Sequence, residues 1–198
     1  MPVVVTLSGS PSARSRSQGL LNRAAQVLAQ QGIEVQSFTL ADFPAEALLH
    51  ARFEDPSIKA WQDAVAHADG LVVSTPVYKA AYSGALKVIL DVLPERALTH
   101  HVVLPLATGG SPAHMLAVDY SLQPVLTALK ARHVLGGIYA TDKELTWQDD
   151  GSLLLAPEID DRLHVAISRF LAHIPNPGHV QLDPDLLHAQ LRLGRVSL

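Results

Sequence analysis

Short apolar runs alternate along the chain with stretches in which apolar residues recur every three or four positions. Residues 3–7 form a β-branched run that predicts a strand buried on both faces. After a Ser/Gly/Pro/Arg loop at 8–17, Leu20, Leu21, Ala24, Ala25, Val27 and Leu28 fall at helical spacing, and Gly32 ends that helix. Residues 33–38 alternate like a second strand. Pro56 opens a helix carrying Ile58, Trp61, Val65 and Ala66. A third strand follows at 71–74, then a helix over 84–93 closed by Pro94. A fourth strand over 101–106, a long helix from about 114 to 130 and a fifth strand over 134–140 complete the repeat. Asp149-Asp150-Gly151 marks a turn in an irregular insertion, and 159–171 supports a last helix. Five strand–helix alternations predict an α/β fold, a doubly wound five-stranded parallel sheet with helices on both faces. The expected domain is 1–174, with a Pro- and Leu-rich C-terminal arm at 175–198.

Composition narrows the chemistry. The 198 residues carry 15 Lys+Arg and 19 Asp+Glu, a formal charge of −4, which gives no reason to expect a polyanionic partner such as nucleic acid. There is no cysteine, so disulfides, thiol redox chemistry and Cys-ligated metals are excluded. Electrons, if the protein moves them, must travel on a bound organic group. The ten histidines are scattered without metal-ligand spacing, and no metal is expected. The N-terminus has no basic region followed by a long apolar one, and the longest uncharged apolar stretch, 102–118, is interrupted by a turn at 108–112. A cytoplasmic protein with no membrane span is expected.

In a doubly wound sheet, ligands bind outside the carboxyl ends of the strands where the winding reverses. The loops after strands one, three and four therefore matter. The first carries Ser8, Ser10, Ser12, Ser15 and Ser17 with Arg14 and Arg16, ending where a helix begins. Free N–H groups, the positive helix end and guanidinium donors together make an anion site. The loop has neither Gly-x-x-x-x-Gly-Lys-Ser/Thr nor Gly-x-Gly-x-x-Gly, so a monophosphate suits it better than a triphosphate or dinucleotide. A plain turn with Ser17 capping the helix is the simpler alternative, but a cap needs one hydroxyl and not five. The second loop, Thr75-Pro76-Val77-Tyr78, is stiff and apolar enough to lie against a flat ring. In the third, Thr108-Gly109-Gly110-Ser111, glycines let backbone amides approach a ligand. A phosphate at one strand end and a ring over two others describe the mononucleotide flavin, FMN. Within the long helix, Pro124 cannot donate to the carbonyl of Tyr120, which predicts a kink or a π-bulge.

These motifs carry a resemblance. Ser8-Gly9-Ser10-Pro11, Ser15-Arg16-Ser17, Thr75-Pro76-Val77-Tyr78 and Thr108-Gly109-Gly110 resemble the NAD(P)H-dependent FMN reductases of the flavodoxin-like fold. Residues 69–98 and 104–110 are most similar to the reductase component of two-component alkanesulfonate monooxygenase systems. The resemblance covers residues 2–140. It implies reduction of free FMN by NADPH or NADH, and delivery of FMNH2 to a flavin-dependent monooxygenase that desulfonates alkanesulfonates for sulfur. It also implies a homotetramer with an extra tyrosine in a π-helix at the subunit interface, a position that Tyr120 matches. In the wider family an arginine follows the Gly-Ser pair by two residues; here that position is Ser12, with Arg14 and Arg16 nearby.

The expected FMN-binding residues are thus Ser8, Ser10, Arg14, Ser15, Arg16, Ser17, Pro76, Val77, Tyr78, Thr108, Gly109, Gly110 and Ser111, with Tyr120 covering the site. No general acid or base is expected, because hydride transfer chiefly needs two rings stacked and side reactions excluded. Two alternatives stay open: a reductase of quinones, azo dyes or metal ions that keeps FMN as a prosthetic group, and a flavodoxin-like electron carrier.

Overall fold

The computed structural model describes residues 1–12 and 14–174. In chain order it runs β1 (Val3–Ser8), α1 (Arg16–Gln30), β2 (Glu34–Thr39), α2 (Ala45–Leu49), α3 (Pro56–His67), β3 (Gly70–Tyr78), β4 (Ala81–Tyr82) and α4 (Gly84–Asp91). It continues with β5 (Val102–Gly109), a π-helical turn (Val118–Leu122), α5 (Gln123–Ala128), β6 (His133–Val134), β7 (Ile138–Thr141), β8 (Leu145–Trp147), β9 (Leu153–Leu155) and α6 (Pro157–His173). The expected arm lies outside the described residues. No helix among those described is long and apolar enough to cross a membrane.

The main sheet has the order β2-β1-β3-β5-β6, with β7 also paired to β5 and all these pairings parallel. This is the flavodoxin-like order, in which winding reverses between β1 and β3. Strand pleating sends alternate residues to opposite faces. Val4, Val72, Val102 and Leu104 meet α1 and α6 on one side. Val5, Leu71, Val73 and Val103 meet α3, α4 and α5 on the other, where Trp61 is fully buried. Each fully buried Leu or Ile contributes about 1.5–3 kcal/mol of transfer free energy, so the two half-cores clamp the sheet between them. Gly70 opens β3 because the ring of Phe170 occupies the space a Cβ would need.

Several expectations are corrected. The predicted continuous fifth strand is split: β6 pairs Val103 with Val134, and β7 resumes with Leu106 against Ile138. Three steps on β5 are thus matched by four on its neighbour, a one-residue bulge. Its cause is Pro105, which has no N–H for the ladder and whose carbonyl and ring crowd Gly137. With the antiparallel β4 hairpin, the five expected strands become a seven-stranded sheet. The insertion forms a separate β8–β9 hairpin. The long helix predicted over 114–130 is replaced by a short 3-10 turn (Pro112–His114), the π turn and α5. In the π turn, the Gln123 N–H bonds the carbonyl of Val118, five residues back, one residue before Pro124. The bulge predicted from Pro124 is present.

His101, 3% exposed ahead of β5, places Nε2 at 2.7 Å from the Val65 carbonyl. An accepting carbonyl assigns the proton to Nε2 and leaves Nδ1 buried without a partner. Burial holds this imidazole below the usual histidine range. The unfolded chain therefore takes up a proton near pH 6.5 that the folded chain refuses, and this contribution to stability is lost as pH falls below that value. Urea midpoints measured between pH 7.5 and 5.5 should decline, by up to about 1.4 kcal/mol per pH unit from this group. His101→Gln, which keeps an N–H donor, should flatten that slope; an unchanged slope would assign it to other groups.

Candidate active site

The switch point is organised by buried serines. Ser8, at the end of β1, is in register with Ser74 in the middle of β3, and the Gly9 N–H bonds the Ser74 carbonyl at 2.7 Å. Ser74 Oγ donates to the Ser17 carbonyl at 2.8 Å, tying α1 to β3. Ser83, the N-cap of α4, accepts from the Leu86 N–H at 3.0 Å and donates to the Gly9 carbonyl. Gly9 is obligatory here, since its missing Cβ would overlap the side chain of Leu86. The first loop is thus bolted to both neighbouring segments.

Ser15, and not Ser17, caps α1: its Oγ accepts from the Gln18 N–H at 3.3 Å and lies 2.9 Å from Ser17 Oγ. Ser17 is fully buried beneath the loop. The first-turn N–H groups of Arg16 and Ser17 have no carbonyl one turn back to bond. Ser10 Oγ accepts from the Ser12 N–H at 3.2 Å. Ser8 is fully buried and its Oγ has no hydrogen-bond partner, the kind of orphan that costs about 1–3 kcal/mol.

A cleft of about 220 Å³ joins the three loops. It brings together Ser10, Arg14, Ser15 and Arg16 with Pro76, Val77, Tyr78, Thr108, Gly109 and Gly110. Ser8 and Ser17 lie below it. Ser111 and Tyr120 do not line it: Ser111 caps the following 3-10 turn, and Tyr120 stands 79% exposed on the π turn. Two further residues line it: Ser12, one of the first loop's hydroxyls, and Asp142, which was not foreseen. Asp142 follows β7, so the end of the fifth strand was the signal for it. Its N–H bonds the Gly109 carbonyl at 3.1 Å and its Oδ2 lies 3.7 Å from the Arg16 guanidinium. Arg16 Nε also donates to the Leu145 carbonyl at 3.1 Å. Arg16 is therefore held toward the β7–β8 loop.

The second loop is strand, not coil: β3 runs on to Tyr78 and returns through a two-residue turn at Lys79-Ala80, both with positive φ. The type I′ hairpin turn requires positive φ at both central residues, and non-glycine residues hold it at some strain. Opposite, Gly109 has no room for a Cβ because the Tyr139 hydroxyl fills the space, donating to the Ser111 carbonyl at 2.6 Å. Desolvation pushes that phenol up from its ordinary value, so it stays a donor at neutral pH. The donor set suits a flavin phosphate: outward helix-start amides, hydroxyls and two guanidinium groups on one side, a stiff apolar strand and close-approach glycines on the other.

Comparison with known proteins agrees with this geometry. Residues 2–146 match the family described as NADPH-dependent FMN reductase. The FMN reductase (NADPH) of Pseudomonas putida is 52% identical, with 99% of this chain and 100% of the relative covered. That of Escherichia coli is 50% identical, over 93% of this chain and 95% of its own. The solved apo form of an NADH:FMN oxidoreductase is similar with a TM-score of 0.81 at 36% identity, covering 94% of this chain and 99% of that one. The chain belongs to the NADPH-dependent FMN reductase family, enzymes that reduce FMN with a reduced nicotinamide.

Proposed function

We propose that this reductase takes FMN from solution as a substrate, reduces it, and releases it to a flavin-dependent monooxygenase that desulfonates alkanesulfonates. The observation that carries the binding mode is the cleft at the β1/β3 switch point, where the α1 N-terminus faces the ends of β3 and β5. Ser10 and Ser15 bind the phosphate together with the α1 amides, and Arg14 and Arg16 supply positive charge. Ser8 and Ser17 act from beneath by fixing the loop. Pro76, Val77 and Tyr78 line the ring, while Thr108, Gly109 and Gly110 offer amides to its polar edge and Ser111 anchors their turn. Bound FMN supplies the ring that accepts the hydride; the chain supplies orientation and exclusion of water. Charge-assisted hydrogen bonds contribute about 1.5–3 kcal/mol each; three or four of them roughly offset the association cost, and burial of the ring against the apolar strand supplies what micromolar binding, near −8 kcal/mol, still needs. That strength suits a shuttled flavin. The delivery step is supported by the similarity of residues 69–98 and 104–110 to reductases of alkanesulfonate systems.

The same reading includes a homotetramer. Tyr120, Met115 and Leu116 are 79%, 54% and 55% exposed in one short segment around the π turn, which packs against β4 beside the cleft. Contiguous exposed apolar groups of this kind mark contact surfaces. A neighbouring subunit placing Tyr120 over the site would weaken flavin retention.

Three outcomes are expected. Flavin-free protein oxidises NADPH or NADH at a rate that rises and saturates with added FMN, without a similar response to riboflavin. A preparation that binds FMN yet oxidises neither nicotinamide would instead be an electron carrier. Ser15→Ala removes both a cap and a phosphate contact. It should cost about 1 kcal/mol of stability and raise the KM for FMN tenfold or more, with little effect on riboflavin. Tyr120→Ala should lower the assembly size seen by sedimentation and tighten FMN retention on gel filtration; no change in either sinks the role given to Tyr120.

A further inference from the structure

A second depression of about 770 Å³ runs between α1 and the β8–β9 hairpin, sharing Arg14 and Ser15 with the flavin cleft. Its lining is rich in side-chain amides. Gln18, Asn22 and Gln26 sit four residues apart and so line one side of α1, with Gln18 Nε2 donating to Asn22 Oδ1 at 2.8 Å. Across from them stands Trp147, half-buried, with the Arg14 guanidinium 4.9 Å from the ring centroid, within cation–π range. The two arginines lining the groove differ. Arg23 is committed to Asp160 through bonds of 2.7 and 2.8 Å. Arg14 has no carboxylate partner among the described residues.

Only the nicotinamide ring of the reductant reacts, so the rest of the dinucleotide must lie on a surface continuous with the flavin cleft. The groove is such a surface, since Arg14 and Ser15 line both. We infer that the groove between α1 and the β8–β9 hairpin is the subsite for the adenylate half of the reduced nicotinamide dinucleotide. The inference rests on the FMN reductase reading and deepens it. Arg14, on the boundary between the two cavities, meets the phosphates that link the halves. Trp147 gives adenine a flat apolar wall, and the amides of Asn22 and Gln26 answer its polar edges and the ribose. Asp149, the carboxylate lining the groove, is suited to ribose hydroxyls and not to phosphate.

Reduced nicotinamide mononucleotide, which lacks the adenylate, provides the test. In the presence of saturating FMN, the preference for NADH over the mononucleotide, as a ratio of kcat/KM, should fall about tenfold in Trp147→Leu and in Asn22→Leu. A ratio unchanged in both variants overturns the inference. A binding readout needs no turnover. The chain has two tryptophans, and Trp61 is fully buried in the core. Titrating adenosine 5′-monophosphate, whose ribose hydroxyls are free, into flavin-free protein should quench fluorescence saturably, and the quench should vanish in Trp147→Phe. No quench in the unsubstituted protein, or one that survives Trp147→Phe, also overturns it. Failure of the underlying reading looks different: neither reduced nicotinamide would be oxidised with FMN present, while the fluorescence titration still reports on the groove.

Discussion

Everything at the catalytic end of this molecule depends on how the loop after β1 is held. In the proposed binding mode its backbone turns amides toward a ligand, and amides so used are not available to stabilise the loop itself. The buried knot of Ser74, Ser17, Ser83 and Gly9 resolves that conflict. Ser74 Oγ holds the Ser17 carbonyl, the Ser74 carbonyl holds the Gly9 N–H, and Ser83 holds the Gly9 carbonyl while capping α4. Segments some 65 residues apart in sequence are fastened without using the groups that face the cleft. Buried hydrogen bonds in low dielectric are individually strong and costly to leave half-made, so such a knot is rigid or absent.

The second and third loops are held by different means. The Thr75–Tyr78 segment is the overrun of a central strand, stiffened by Pro76 and turned back by a strained two-residue hairpin. The glycine loop is backed by Tyr139, whose hydroxyl both occupies the space beside Gly109 and bonds the Ser111 carbonyl. Stability and function therefore share residues here. Tyr139 and Ser74 are framework groups, yet each decides where a ligand-facing backbone lies. An enzyme that transfers hydride between two rings needs that kind of preorganisation more than it needs an acid or a base.

Much of the fold was legible because the signals were local and strong. The β-branched run at 3–7, the helical spacing from Leu20 to Leu28 and the helix start at Pro56 each name their element without help. Pro124 announced the π turn, since a missing N–H cannot be hidden by any partner. The split fifth strand was not legible, because its cause, Pro105, acts across the sheet on Gly137 from 32 residues away. Nor was the cap: five serines in ten residues leave the choice open, and it is the packing of Ser17 under β3 that gives the role to Ser15.

By itself, the amino-acid sequence determined the α/β winding and marked three segments, 8–17, 75–78 and 108–111, by their hydroxyl, proline and glycine content. Periodicity, turn residues and hydroxyl density are local properties, and they survive in one dimension. Tertiary structure alone decided which of those residues share a cavity. It set Ser8 and Ser17 beneath the cleft, brought Asp142 into it, turned Arg16 toward Leu145 and laid Arg14 on Trp147. Those outcomes depend on side-chain direction and long-range packing, and neither is written in spacing along the chain.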